Sequence, residues 1–508
     1  VSRVRSRTSS VLGAILASIL CATPARAAEP ADTVRCGGAL ARAAASVHLP
    51  VHHWSLAAVR RADALGLLDE PLALRRTLTR ATVARLLCQA ERHAAERGDA
   101  LGALAQGWNE RLAEEFGPDA ELRAAPRAGY AYGRGLVAPG LGEFPPERTG
   151  PLTLADRSAL DAGVELSAQA GRHLAASVEP EAFGRELTLA AGEVAVGAGA
   201  FSISAGRQAV GYGAAEGGGV VLSGAEAVDA VQLETTRGLR LPRPLGWLGP
   251  IDFQTFLSRF NSERHPGAPY FWGASGAIHP HPRLTLAVHR AALFGGERSE
   301  LPITPRSLWQ MLLGEVHGRK NFEDQVVSVE GRFRLPTESV LPLTIYLEWG
   351  SEDAAGAWRD VPGRVAGAFV PRIPGAPALS LGVERAAFRA SCCFNPPWYR
   401  HVGFPGSWAG ESQPLGHPLG GEGREWLLYS RAELLDSRLE LAGRGYRRKR
   451  GAENLFAPER AGRSTGGAMN ARWRLARAID LRVAGEAERG EGWTMTRIEA
   501  GMSAYLFR

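Results

Sequence analysis

Lysine is almost missing from this 508-residue chain: only Lys320 and Lys449 supply it, so the positive charge is nearly all arginine. A bias of that kind follows codon composition, and it is not read here as a choice of arginine for recognition. Cysteine is scarce at 5 and no C-x-x-C pair occurs, which removes the thiol redox motif and the zinc knuckle. Past the N-terminal segment, no apolar run reaches the roughly 18 residues that a spanning helix needs. The mean hydropathy of −0.13 also excludes a bundle of membrane helices. It does not exclude a membrane β-barrel, whose strands are apolar on one side only.

An excess of one charge is lacking too. The formal charge is +6, but residues 1–27 read as a secretory signal. Arg3, Arg5 and Arg7 precede an apolar run over 11–22, and Ala25-Arg26-Ala27 forms a small-x-small cleavage site. Cleavage after Ala27 removes four arginines and no acid, leaving +6 − 4 = +2. That near-neutral balance gives no support to a nucleic-acid partner. Cys21 follows Ile19-Leu20, where a lipoprotein site wants small residues. Export places Cys36, Cys88, Cys392 and Cys393 in an oxidising compartment. A bridge between Cys36 and Cys88 would staple the first domain; in the alternative, Cys88 is a buried free thiol.

Glycine is what the chain has in plenty, 61 residues, and the excess points to many tight turns. The apolar period divides the rest. Within 28–126, the stretches 55–66, 82–97 and 101–116 carry apolar residues at helical spacing, Val83, Leu86, Leu87 and Ala90 in one and Leu104, Trp108 and Leu112 in another. Trp54 and Trp108 read as core anchors. From 127 to 508 the period becomes two. In the last strand Ile498, Ala500, Met502, Ala504 and Leu506 make one apolar face, with Arg497, Glu499 and Ser503 on the other. Charges on the inner face of so many strands would be costly in a dry sandwich, and they suit a wet lumen.

About seventeen alternating segments lie between Ala162 and Phe507, and Tyr130-Ala131-Tyr132-Gly133 offers one more, giving roughly eighteen. Connections alternate between short (280–283, 335–340, 435–437, 477–478) and long (295–324, 350–363, 390–424, 447–463). The fold expected is therefore mainly β, an antiparallel transmembrane β-barrel of about 18 strands preceded by a small periplasmic α-helical domain. Its long loops are expected to be extracellular and its turns periplasmic. Tyr505-Leu506-Phe507 partly matches the aromatic ending that barrel-assembly machinery reads, although Arg508 follows.

Three segments carry a resemblance. One is helical, Leu78-Thr79-Arg80-Ala81-Thr82-Val83-Ala84-Arg85-Leu86-Leu87. The second is glycine-rich, Gly206-Arg207-Gln208-Ala209-Val210-Gly211-Tyr212-Gly213 followed by Gly217-Gly218-Gly219-Val220-Val221-Leu222-Ser223. The third joins Trp398-Tyr399-Arg400-His401 to Leu415-Gly416-His417-Pro418-Leu419-Gly420. In order and architecture the chain resembles the Wzi-type capsule-assembly outer-membrane proteins over nearly its whole mature length. A tryptophan usual in the family's glycine-rich segment is replaced here by Val210 or Tyr212. The resemblance implies an eighteen-stranded barrel in the outer membrane and a non-catalytic role in holding capsular or related polysaccharide. It implies no cofactor. A porin-like solute channel is the alternative.

Two places suit a polymer. The loop 390–424 carries Phe394, Trp398, Tyr399, His401, Phe404 and Trp408 beside Arg400 and His417, and aromatic platforms receive the C–H faces of sugars. The same rings could instead fold into a lid that plugs the pore. The run Arg444-Gly445-Tyr446-Arg447-Arg448-Lys449-Arg450 reads as an outer hairpin tip, where Tyr446, Arg447 and Arg448 could pair with acidic sugars or with lipopolysaccharide phosphates. Catalysis finds little: no phosphate-binding loop ending in Gly-Lys and no H-E-x-x-H pair occur. His279, His281 and His289 lie close in sequence, with Pro280 in an inferred turn, and no metal site is assigned to them. Oligomeric state is not fixed by any of these features.

Overall fold

The computed structural model describes residues 38–98, 101–117, 122–134, 157–183, 186–260, 268–297, 299–313, 322–338, 340–352, 362–389, 398–401, 404, 408–409, 414–457 and 460–507. The expected signal segment, Cys36, Cys392, Cys393 and Phe394 lie outside them.

Among the described residues four helices come first: α1 (Gly38–Arg42), α2 (Trp54–Ala64), α3 (Arg80–Arg97) and α4 (Leu101–Phe116). The start of α3 follows from Thr79, whose side chain caps the helix by accepting the N–H of Thr82 at 3.2 Å, and its end from Gly98 in the left-handed region at φ 64°. Val83, Leu87, Ala90 and Ala94 of α3 pack against Ala105, Trp108 and Leu112 of α4 and Val59 and Ala62 of α2. The two tryptophans are core residues as the period implied. Each also donates its indole N–H to a buried carboxylate, Trp54 to Glu115 at 2.6 Å and Trp108 to Glu433.

The chain then builds one sheet of 20 strands, of which Leu239–Arg240 and Leu506–Phe507 are two-residue pieces, leaving eighteen long ones. Every neighbour is antiparallel, and Leu122–Arg134 pairs both with Arg157–Ala170 and with Thr494–Ala504, so the sheet closes on itself. Closure removes every unpaired edge. Outward positions form an apolar belt in which Leu160, Leu187, Val288, Leu428, Met469, Val483, Ile498 and Met502 are exposed. Inward positions are polar: Glu193, Glu234, Gln254, Ser275, Glu330, Glu348, Glu384, Glu425 and Glu488 are buried. This is the alternation read from the last strand, repeated around the wall.

At one end the turns are short, as at 171–173, 282–283, 435–438 and 477–478; at the other they are long, as at 295–322, 353–362 and 389–422. The helical layer docks across the short-turn end. Ala44 donates its N–H to the Arg172 carbonyl at 2.7 Å, and Arg61 reaches the Pro371 carbonyl at 2.8 Å and Glu433 at 2.9 Å. Asp63 meets Arg332 at 2.8 Å and Glu114 meets Arg474 at 2.9 Å. Buried charges are tolerated here because each meets an opposite charge or a carbonyl.

Two local expectations are corrected. Residues 444–450 are not a hairpin tip. They belong to the strand Leu439–Arg450, paired on both sides along its whole length. The basic run extends the strand because its side chains alternate between lumen and exterior, which period-two spacing allows whatever the charge. Likewise His279 is not in a turn: it lies in the strand Tyr270–His281 and is buried on the inner face.

Candidate functional site

The segment between the strands Phe201–Gly211 and Ser223–Thr235 does not loop outward. It enters the lumen, and three inward glutamates from three other strands grip its backbone. Glu330 accepts the Ala214 N–H at 2.8 Å, and Glu348 accepts that of Val220 at 2.9 Å. Glu384 accepts those of Glu216 and Gly217 at 2.5 and 2.8 Å. Carboxylates that take several N–H bonds satisfy buried backbone donors that would otherwise cost stability.

The aromatic loop closes over this segment. Tyr399 donates its O–H to the Val220 carbonyl at 2.5 Å and accepts the His417 N–H at 2.9 Å. Its own N–H reaches both Glu352 oxygens, at 2.8 and 2.9 Å. Leu415 accepts the Ser223 N–H at 2.8 Å, and Trp398 stacks edge-on against Phe388 at 5.1 Å. Two glycines are needed for this approach. A Cβ on Gly218, at φ 135°, would sit 2.5 Å from Pro418, and one on Gly416 would sit 2.4 Å from the Tyr399 ring. Burial lowers the His417 imidazole to about 4, so it is neutral in the plug, where its Nδ1 accepts the Leu419 N–H at 3.1 Å.

From the other side the helical layer meets the same segment. Gly213 donates to the Leu74 carbonyl at 3.0 Å, Arg76 donates to that of Gly211 at 2.9 Å, and Arg60 pairs with Glu216 at 2.9 Å. Helical layer, glycine-rich segment and aromatic loop thus form one hydrogen-bonded column inside the barrel. Beside it lies a cavity of about 1840 Å³, lined by residues of α2, by Gly213, Ala214, Glu216 and Gly217 and by the wall, with Arg127, Arg207, Arg444, Glu179, Glu486 and Glu499 among its charged groups. Such a chamber of mixed charge can hold water and hydroxylated groups.

The residues expected to bind polysaccharide are brought to three places. Trp398, Tyr399, Trp408 and Phe404 are fully buried and His401 nearly so, which makes them the core of the plug rather than an open platform. Arg400 is half-buried and donates to the Asn454 carbonyl at 2.9 Å. Tyr446 and Arg448 face the lumen: Tyr446 donates to Glu486 at 2.8 Å, while Arg448 pairs with Glu425 and, at 3.1 Å, with Glu488. Arg447 alone points outward and is exposed. The glutamates that hold the plug were not singled out from the sequence. Their signal was there, as carboxylates on the polar face of strands.

Among the described residues no group of three or more His, Cys, Asp or Glu could hold a metal ion. His279 instead meets Asp252 at 3.0 Å and Thr285 at 3.1 Å, and His289 meets Ser275 and Glu330, each at 2.9 Å. A hydrolase nucleophile elbow was not expected from the sequence, yet Gly462-Arg463-Ser464-Thr465-Gly466 has its spacing. It falls within the strand Gly462–Ala476 rather than at a strand-to-helix turn, and Ser464 donates to Glu488 at 2.7 Å, with no histidine partner among the described residues. Cys88 is disulfide-bonded, and Cys36 lies outside the described residues.

The family model for the capsule assembly protein Wzi matches residues 153–498, more than half of the chain. The chain belongs to this family. Wzi of Escherichia coli, described as an outer-membrane, carbohydrate-binding β-barrel involved in group 1 capsule assembly, superposes with a TM-score of 0.68 at 16% identity. The match covers 88% of this chain and 97% of that one. Pseudomonas aeruginosa OprD aligns at 11% identity over 76% of this chain and 95% of its own, with a TM-score of 0.45. OccK3 of the same organism aligns at 12% over 77% and 97%, with a TM-score of 0.47. No curated protein sequence matches the chain. The Wzi fold and the apolar belt make this chain an outer-membrane barrel.

Proposed function

We propose that this barrel binds and anchors capsular or related surface polysaccharide without catalysing its chemistry, and that residues 1–27 are its signal peptide. In this reading the helical region 28–126 lies in the periplasm, the barrel 127–508 spans the membrane and the long loops face outward. Family membership supports the polymer. The occupied lumen supports anchoring over transport, because a column tied by Glu330, Glu348, Glu384 and Tyr399 stands where a porin keeps its channel. The loop 390–424 is proposed to present the polymer-facing surface, with its buried rings as the scaffold and Arg400 at the margin. No cofactor is invoked.

A glycan-binding assay on the intact protein and on a variant lacking 390–424 tests this. The intact protein should bind purified capsular polymer and the deletion should lose it; equal binding by both removes the loop from the proposal. Loss of the gene should release polymer to the medium while synthesis continues, and unchanged retention would sink the anchoring role.

A further inference from the structure

On the outer face of the wall, at the long-loop end, six adjacent strands from Gly363–Val370 to Ile479–Gly490 carry cations in two rows. Register pairing runs Arg364, Ala387, Arg424, Lys449, Arg463 along the first row. It runs Arg385, Trp426, Arg447, Thr465, Arg489 along the second. All seven cations are exposed. Arg385 lies over the Trp426 ring at 5.2 Å and Arg364 over Trp349 at 4.4 Å. Arg424, Arg447, Lys449, Arg463 and Arg489 make no ion pair among the described residues.

The contrast within single strands is what gives this row its meaning. Arg448 and Arg450, the inward alternates of Arg447 and Lys449, are matched to Glu425 and Glu488. The outward alternates have no such match, although Arg424, Lys449 and Arg463 sit directly opposite one another on three consecutive strands. Like charges directly opposite are destabilising. Below them Leu428, Met469 and Val483 face outward, so the rows lie at the upper border of the apolar belt, where a bilayer's charged headgroups begin. With strands about 4.8 Å apart, the three opposed cations span about 10 Å.

We propose that this face binds a lipid of the outer leaflet that carries more than one phosphate, the phosphates seated between Arg424, Lys449 and Arg463 and on Arg447 and Arg489. Guanidinium groups offer paired donors to phosphate oxygens, and opposed cations two strands apart fit an anion too wide for one side chain. The site uses the orientation proposed above; Arg424 closes the segment 390–424, the other cations lie outside it, and lipid and polymer readouts on the same variants let either proposal fail alone.

The test uses full-length protein in detergent and two probes, bisphosphorylated lipid A and the same lipid with both phosphates removed, with complexes counted by native mass spectrometry. Wild type should bind the bisphosphorylated form at least tenfold more tightly than the other, and more weakly as salt rises. The variant R424Q/K449Q/R463Q should lose at least tenfold, while R424K/R463K keeps binding. Faster gel migration without boiling certifies that each variant is folded; if the triple variant is not, R447Q/R489Q on the second row is read instead, with a loss of several-fold expected. Equal affinity for the two lipids overturns the proposal, as does unchanged lipid binding by the neutralised variants. So does acidic polysaccharide binding that is lost in those variants while lipid binding persists.

Discussion

His48, in the link between α1 and α2, sits between two wall glutamates, 2.9 Å from Glu193 and 3.0 Å from Glu234. Gln232 is at 3.0 Å, and Arg75 pairs with Glu234 from the other side. Burial alone would lower its affinity for a proton, but the two carboxylates outweigh that and hold the imidazole well above the ordinary histidine value. A raised folded-state value gives stability that is full below the unfolded value of about 6.5 and is lost as pH rises through the folded value. His417 works in the opposite sense. Its value of about 4, set by burial, gives stability that is present above about 6.5 and lost as pH falls towards 4. Limited proteolysis of the helical layer should therefore speed up with rising alkalinity in wild type, and H48Q should flatten that response; an identical profile in the two would refute it. Thermal unfolding at pH 4 to 6.5 should show the plug weakening, and H417N should remove most of that slope. The role of such residues was poorly legible in the sequence. His48 carries no signal in the sequence, because its partners Glu193 and Glu234 lie 145 and 186 residues away and become neighbours only when the barrel closes. Trp398 and Tyr399 were legible as important, yet whether a ring is a platform or a core residue depends on which backbone lies above it.

At the scale of elements, helices 55–66, 82–97 and 101–116 and the alternating strands were readable because a single period sets each. The plug was not, since residues 212–222 have no period and are placed by glutamates contributed from strands more than a hundred residues on. If that column blocks the lumen, purified wild type in a planar bilayer should pass little current. Removal of 213–221 should give a steady open conductance, whereas a silent deletion would show that the helical layer alone seals the pore. The substitution G218V, which drives a side chain into Pro418, should give intermittent opening in the same recording. Within the helical layer, the Cys88 disulfide tethers α3 to its partner residue. We expect peptide mapping to identify that partner as Cys36, and C88S to cost the helical layer about 2–4 kcal/mol while the barrel keeps its resistance to detergent denaturation.

For the whole molecule, the belt sets the solvent. Replacing Leu428, Met469 or Val483 with arginine should cost about 2–4 kcal/mol in lipid refolding titrations, with smaller losses for arginines introduced nearer the rim. Equal costs at all depths would mean the belt is misplaced. The same wall answers the charge question raised by composition. Arg127, Arg207, Arg444 and Arg448 face the lumen among carboxylates, while Arg424, Arg447, Arg463 and Arg489 line the outer rim at the long-loop end, an arrangement that the formal charge of +6 does not reveal.

The seam between Leu122–Arg134 and Thr494–Ala504 joins strands from opposite ends of the barrel sequence. Loop-closure entropy makes such a distant pairing late, so the seam is expected to zip after its neighbours have formed. The glycine-rich segment is tethered at both ends to adjoining strands of that wall. Once the seam has zipped, the segment sits like a cork fastened to the inside of its own bottle, and the order of assembly decides whether the vessel is ever empty.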